Sequence, residues 1–105
     1  MFTFIESPVF ERLRAEYLDD DEYSELQQFM MRNPEAGNVV PGSGGVRKLR
    51  WKRSGAGKRG GIRVIYCIRR RPGEFWMLTL YAKSRQENAP PEILRRLRKE
   101  FEHGS

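Results

Sequence analysis

The chain has 105 residues, of which 20 are Lys or Arg and 14 are Asp or Glu, and its formal net charge is +6 at pH 7. This length predicts a single small domain over residues 1–105 with one modest hydrophobic core. No apolar stretch approaches the roughly 20 residues of a membrane span. The N-terminus lacks a signal-peptide pattern, and the lone Cys67 can form no internal disulfide. These features predict a cytoplasmic protein with no membrane contact.

The first elements of the chain are predicted to be a short strand and a helix. Apolar side chains dominate residues 2–5 and indicate the strand. Ser7 and Pro8 are typical of the N-cap and first position of a helix, which apolar spacing extends to about Tyr17.

A second helix is predicted to follow immediately. Asp19 and Glu22 have the spacing of a capping box, and acidic residues at this end suit the helix dipole. Asn33 precedes a proline and ends the apolar periodicity. The two helices should form a hairpin with one face on a sheet.

The rest of the chain predicts a glycine-rich loop, three strands and a closing helix. Residues 36–45 form the loop, and two prolines at positions 90 and 91 open the helix. The strands are predicted at residues 46–52, 62–69 and 75–82. The order β-α-α-β-β-β-α predicts an α+β fold built on a small antiparallel sheet.

Positive charge is concentrated in the middle of the chain. Residues 36–73 contain no Asp or Glu but hold 11 of the 20 basic residues, so 9 basic and all 14 acidic residues lie elsewhere. Such a local field favours a polyanionic partner, most often nucleic acid. The alternative is a solvated basic face without a partner. The basic residues of this segment are Arg47, Lys48, Arg50, Lys52, Arg53, Lys58, Arg59, Arg63, Arg69, Arg70 and Arg71.

Strand alternation suggests how these charges are used. Lys48 and Arg50 share one face of their strand, and Arg63 belongs to the next strand, so a suitable register would place three cations on one sheet surface. Such a surface can bind phosphate and stabilise the negative charge of a phosphoryl-transfer transition state. A lysine crowded among cations loses its proton more readily and can act as a base. Charge and alternation alone favour phosphate binding over catalysis.

Other chemistries are poorly supported by the sequence. Residues 55–58 read Gly-Ala-Gly-Lys, but a phosphate-binding P-loop needs Gly and Ser or Thr where Lys52 and Arg59 stand. The single Cys67 and the single His103 offer neither a metal-ligand cluster nor a Ser-His-Asp arrangement. We therefore expect no metal and no cofactor.

Three stretches together resemble the RelE/HigB-type toxin family of bacterial toxin–antitoxin systems, nearest its HigB-like branch. They are residues 44–50 (GGVRKLR), 57–66 (GKRGGIRVIY) and 80–83 (LYAK), supported by residues 92–95 (EILR) and the two N-terminal helices. The resemblance covers nearly the whole chain, and the second stretch is the most specific. It implies a RelE-like fold with an N-terminal helical hairpin and a C-terminal helix.

The resemblance also implies an activity and partners. Members of this family are metal-independent endoribonucleases, or mRNA interferases, that cleave mRNA in the ribosomal A site and stop translation. A cognate antitoxin, often a helix-turn-helix DNA-binding protein, neutralises them. Operator DNA would then be reached only through the antitoxin.

The family's catalytic positions fall on four cations of this sequence. Arg50 and Arg63 would clamp the scissile phosphate, Lys48 would act as base or electrostatic activator, and Lys83 would assist the leaving group. Further contacts to the mRNA and rRNA backbones are expected from Lys52, Arg53, Lys58, Arg59 and Arg85.

One family feature has no counterpart in the sequence. RelE proteins carry a base-stacking Tyr in the loop after the last strand, where this chain has Ser84, Arg85 and then two prolines. Tyr66 and Tyr81 lie in apolar strands and are expected in the core. The missing Tyr motivates an alternative function, a non-catalytic module that binds RNA or an antitoxin.

Overall fold

The computed structural model describes residues 2–52, 61–85 and 88–103. It has an α+β fold in which a five-stranded sheet carries helices on both faces, which confirms the predicted fold class. The elements are β1 (Thr3–Glu6), α1 (Pro8–Tyr17), α2 (Asp20–Arg32), β2 (Asn38–Val39), β3 (Arg47–Trp51), β4 (Ile62–Arg69), β5 (Glu74–Ala82) and α3 (Pro91–Glu102).

The strands lie in the order β1-β5-β4-β3-β2. β3, β4 and β5 form the predicted antiparallel meander, while β1 joins the free side of β5 in parallel. β2 lies in the segment that was predicted as loop and pairs antiparallel with β3. A two-residue strand has no detectable periodicity, so this edge of the sheet could not be predicted from the sequence.

Both N-terminal helices begin as their capping residues predict. The hydroxyl of Ser7 accepts a hydrogen bond from the Phe10 N–H at 2.9 Å and donates one to the Leu78 carbonyl at 2.7 Å, which ties α1 to β5. Asp19 accepts from the Glu22 N–H, and the Glu22 carboxylate accepts from the Asp19 N–H, completing the capping box. These bonds satisfy backbone donors that helix starts otherwise leave unpaired.

The sheet separates two apolar clusters. The larger one lies under α1 and α2, and the smaller one lies under α3. Residues 62–67 of the central strand β4 are all buried, as expected for a strand covered on both faces. The larger cluster contains Phe10, Leu18, Tyr23, Leu26, Met30, Leu49, Ile62, Val64, Tyr66, Phe75, Met77 and Leu80. The smaller cluster contains Val46, Ile65, Cys67, Trp76, Leu78, Tyr81 and Leu94.

Tyr66 forms hydrogen bonds that hold the segment after α2, residues 34–37, against the sheet. Its fully buried hydroxyl accepts a hydrogen bond from the Gly37 N–H and donates one to the Pro34 carbonyl, each at 2.9 Å. A Cβ atom on Gly37 would come within 2.9 Å of the Tyr66 ring, so this close approach requires glycine. Burial raises the pKa of Tyr66, with a smaller opposing effect of the Gly37 backbone. The hydroxyl therefore stays protonated and keeps both bonds at neutral pH.

We expect Tyr66→Phe to lower the free energy of unfolding by about 1–3 kcal/mol, because it leaves the buried Gly37 N–H unpaired. Urea unfolding of both proteins measures the difference. Ser24→Ala removes an exposed hydroxyl from α2 and should change stability by no more than about 0.5 kcal/mol. Equal stability of Tyr66→Phe and the parent protein would show that these hydrogen bonds do not stabilise the fold.

Candidate functional site

The register of the meander brings the predicted cations together. Arg50 of β3 lies directly opposite Arg63 of β4. Lys48 lies two positions before Arg50 on the same face of β3 and opposite Ile65. On its other side Arg63 pairs with Tyr81 of β5. Because alternate residues of a strand share a face, Lys48, Arg50 and Arg63 all lie on the face that carries α3.

The fourth predicted cation joins them from the end of β5. Lys83 directly follows β5, and its N–H donates to the Gly61 carbonyl just before β4 at 3.2 Å. The resulting cleft has two lobes that share Arg50, Arg63 and Lys83. One lobe of about 240 Å³ is completed by Lys48 and Asn88, and the other, of about 320 Å³, by Trp51, Lys52 and Gly61. We refer to this feature as the cationic cleft.

The described residues that line the cationic cleft include no Asp or Glu. Within residues 2–52, 61–85 and 88–103, no carboxylate forms an ion pair with Lys48, Arg50, Arg63 or Lys83. By contrast Arg47, on the opposite face of β3, pairs with Glu35. Arg63 is only 8% exposed. A guanidinium that lines a cavity without a carboxylate partner can hold phosphate oxygens, so the geometry favours phosphate binding.

Asn88 is a polar residue of the cationic cleft that was not predicted from the sequence. Lys48 Nζ donates a hydrogen bond of 2.9 Å to Asn88 Oδ1 from the segment that precedes α3. The two residues are 40 positions apart, and Asn88 lies in a polar stretch without periodicity. No local signal distinguishes it from any other loop asparagine, because only the tertiary fold brings it to Lys48.

Tyr81 is buried, as predicted, and it lies on the face of the sheet that carries the cationic cleft. It is 7% exposed and belongs to the cluster under α3. Its buried hydroxyl has no partner at hydrogen-bonding geometry in the described part of the chain. Burial raises the pKa of Tyr81, with smaller opposing effects of the Ala89 backbone and the Arg63 charge.

The residues expected to hold RNA backbone have different placements. Lys52 is exposed and lines the larger lobe of the cationic cleft. Arg85 lines neither lobe and instead pairs with Glu16 of α1 at 3.7 Å, so the structure does not bring it to the four cations. The other three, Arg53, Lys58 and Arg59, lie outside the described residues.

Cys67 lies under α3, away from the cationic cleft. Burial raises the pKa of its thiol to about 11, although Arg98 and Arg69 act in the opposite direction. A thiol with such a pKa is protonated at neutral pH and is a poor nucleophile.

Residues 2–52, 61–85 and 88–103 contain no group of three or more His, Cys, Asp or Glu side chains placed to hold a metal ion. The same part of the chain contains no helix with the length and apolar character needed to cross a membrane.

Comparison with known proteins identifies the class of fold. No protein-family model matches the chain. The structure is similar to that of the E. coli toxin RelE, solved in the free state as a double arginine-to-alanine variant, with a TM-score of 0.60. The match covers 90% of this chain and 94% of that chain at 11% sequence identity. The chain therefore has a RelE-like fold, and at this identity the similarity concerns the fold alone.

Proposed function

We propose that this protein is the toxin of a toxin–antitoxin system and an endoribonuclease that cleaves mRNA on the ribosome. The observation that carries the proposal is the cationic cleft: Lys48, Arg50, Arg63 and Lys83 surround one cavity without a carboxylate partner in the described chain. The RelE-like fold supports it, and the sequence resemblance adds the HigB-like branch as a finer assignment.

The proposed reaction uses the 2′-hydroxyl of RNA as nucleophile. The 2′ oxygen attacks the adjacent phosphorus and the P–O5′ bond breaks, which leaves a 2′,3′-cyclic phosphate on one fragment and a 5′-hydroxyl on the other. One proton leaves the 2′-hydroxyl and one is delivered to O5′. Alignment, proton transfer and charge neutralisation are what the enzyme must supply.

The four cations have distinct proposed roles in this reaction. Arg50 and Arg63 face each other across β3 and β4, so they can hold both non-bridging oxygens of one phosphate. Lys48 assists removal of the 2′ proton, either as base or through its charge. Lys83, at the end of β5, stabilises the departing O5′. Lys52 extends the positive surface along β3 for a neighbouring phosphate.

The proposed partners follow from the same assignment. A cognate antitoxin would occupy or distort the cationic cleft, and one with a helix-turn-helix domain would connect the complex to operator DNA. Ribosomal RNA and mRNA would be the nucleic-acid partners, and the reaction would take place in the cytoplasm. A neighbouring reading frame encoding a small helix-turn-helix protein would support this assignment.

A second candidate is a non-catalytic module that binds RNA or an antitoxin through the same cations. The observation that favours it is the lining of the smaller lobe, where no aromatic side chain is found among the described residues. RNA-binding sites commonly stack bases on aromatic rings. Without such stacking the cationic cleft would hold phosphate but would align the 2′-hydroxyl poorly.

The test is a cleavage assay with the purified protein. We expect cuts on mRNA-programmed ribosomes, mapped by primer extension, and no cuts on the same mRNA free in solution. Ribosome binding without cuts in either setting would favour the binding module. Neither binding nor cleavage would refute both candidates.

A further inference from the structure

Asn88 is a residue of the cationic cleft that the resemblance to toxins does not assign. Its side-chain oxygen accepts the 2.9 Å hydrogen bond from Lys48 Nζ, and its side chain lines the smaller lobe with Arg50, Arg63 and Lys83. The contact joins β3 to the segment before α3 and lies at the surface of the molecule.

Lys48 needs such a contact to remain in place. A lysine side chain has about 2 kcal/mol of rotamer entropy to lose when it is fixed. Here it is also repelled by the neighbouring charges of Arg50 and Arg63, which favour turning Nζ away into solvent. A hydrogen-bond acceptor on Nζ opposes both effects.

The side chain of Asn88 is a neutral amide, so it does not offset the positive charge of Lys48 as a carboxylate would. The oxygen of Asn88 orients Nζ but leaves the positive charge of the lobe intact. Arg47, one residue earlier on β3, shows the contrasting arrangement, because its guanidinium pairs with the Glu35 carboxylate at 3.4 Å on the other face. An amide at position 88 thus combines orientation with an undiminished field for phosphate.

We propose that Asn88 is a positioning residue that holds Lys48 against the phosphate of bound RNA. The inference rests on the proposed function, since it assigns an RNA phosphate to the smaller lobe. Asn88 does not itself carry out proton transfer. Its effects on binding and cleavage are transmitted through Lys48.

Cleavage is tested in a mutant cycle with Asn88→Ala, Lys48→Ala and the double variant on programmed ribosomes. Asn88→Ala should lower kcat by about 10- to 100-fold, the effect of one hydrogen bond to a charged group, with KM changed less than about twofold. It should have no further effect in the Lys48→Ala background. Gln28→Ala, an exposed amide on α2, is the matched control and should cleave normally.

Binding is tested separately with an RNA oligonucleotide that carries 2′-deoxy substitutions and cannot be cleaved. Asn88→Asp would form an ion pair with Lys48 and should reduce the slope of log affinity against log salt by about 0.7, the value for one phosphate contact on a single strand. Asn88→Gln, which retains the amide, should keep the slope of the parent protein. In the Lys48→Ala background Asn88→Asp should leave the slope unchanged.

The two assays separate failure of this inference from failure of the proposed function. If the parent protein binds the oligonucleotide but cuts nothing, catalysis is refuted, and the salt slopes still decide the role of Asn88. Equal slopes for Asn88→Asp and the parent protein would overturn the inference. Full additivity of Asn88→Ala and Lys48→Ala in cleavage would overturn it as well.

Discussion

Arg63→Ala is expected to reduce the single-turnover rate of mRNA cleavage on ribosomes by about 10²–10³-fold or more, the usual effect of removing one preorganised transition-state contact. Arg63 lies at the centre of the cationic cleft, opposite Arg50 and shared by both lobes. Only 8% of Arg63 is exposed, and this shielding from bulk water strengthens its interaction with the charge that develops on the phosphate. The rate is measured by quantitative primer extension at saturating protein.

The same variant should remain folded. No carboxylate in the described chain pairs with Arg63, so truncation leaves no buried negative charge behind. The loss is limited to packing of the side-chain stem, and we expect a change in unfolding free energy of about 1 kcal/mol. Urea unfolding tests this, and Arg12→Ala on the exposed side of α1 is the control that should alter neither property.

Arg63→Lys separates charge from geometry. A lysine preserves the positive charge but loses the two parallel donors with which a guanidinium holds phosphate oxygens. Cleavage should therefore stay well below that of the parent protein while the salt dependence of RNA binding is retained. A normal cleavage rate in Arg63→Ala would remove Arg63 from the proposed mechanism.

Local interactions explain why the helix boundaries could be predicted. The bonds that begin α1 and α2 connect Ser7 to Phe10 and Asp19 to Glu22, each within three residues along the chain. A sequence window contains both partners of such a bond. The same holds for the alternation that places Lys48 and Arg50 on one face of β3.

The sequence predicts that the cations lie close together only if a particular register between β3 and β4 is assumed. The face of Arg63 follows from alternation within β4, but its position opposite Arg50 depends on the register between two strands. Residues 52–61, which connect these strands, form a glycine-rich sequence that is too long for the two-residue turn that would fix the register. The structure supplies the missing information by pairing Arg50 with Arg63.

Other features depend on contacts between distant parts of the chain. β1 joins β5 across about 70 residues, and Asn88 reaches Lys48 across 40. A register shift between Ile65 and Tyr66 adds one residue to β5. Because of this extra residue, Trp76 and Tyr81 both lie under α3 although they are an odd number of positions apart. Strict alternation would separate these two side chains, so it could not predict the face of Tyr81.

The largest effect on stability is expected at Phe75. This fully buried side chain of β5 stacks on Phe2 and Phe4 with ring centroids 4.5 and 4.9 Å away and meets the edge of Tyr66 at 5.8 Å. Phe75→Ala should lower the free energy of unfolding by about 3–5 kcal/mol, because it removes apolar contacts and leaves a cavity. Urea unfolding with an unchanged m-value measures the effect.

Phe101→Ala is the matched control. Phe101 is only half-buried and stacks on Trp76 at 5.0 Å at the end of α3, so its truncation should cost less than that of Phe75. An equal or larger loss at Phe101 would contradict the assignment of Phe75 to the centre of the core.

Phe75→Leu separates the stability of the core from cleavage, because it weakens the core without changing the cationic cleft. Phe75 belongs to the cluster under α1 and α2, whereas Arg63 lies on the opposite face of the sheet. We expect this variant to lose about 1–2 kcal/mol of stability yet to cleave at the parent rate at temperatures where it is folded. Arg63→Ala should instead lose cleavage while its unfolding free energy changes by only about 1 kcal/mol. A loss of cleavage in fully folded Phe75→Leu would mean that the two faces of the sheet are coupled.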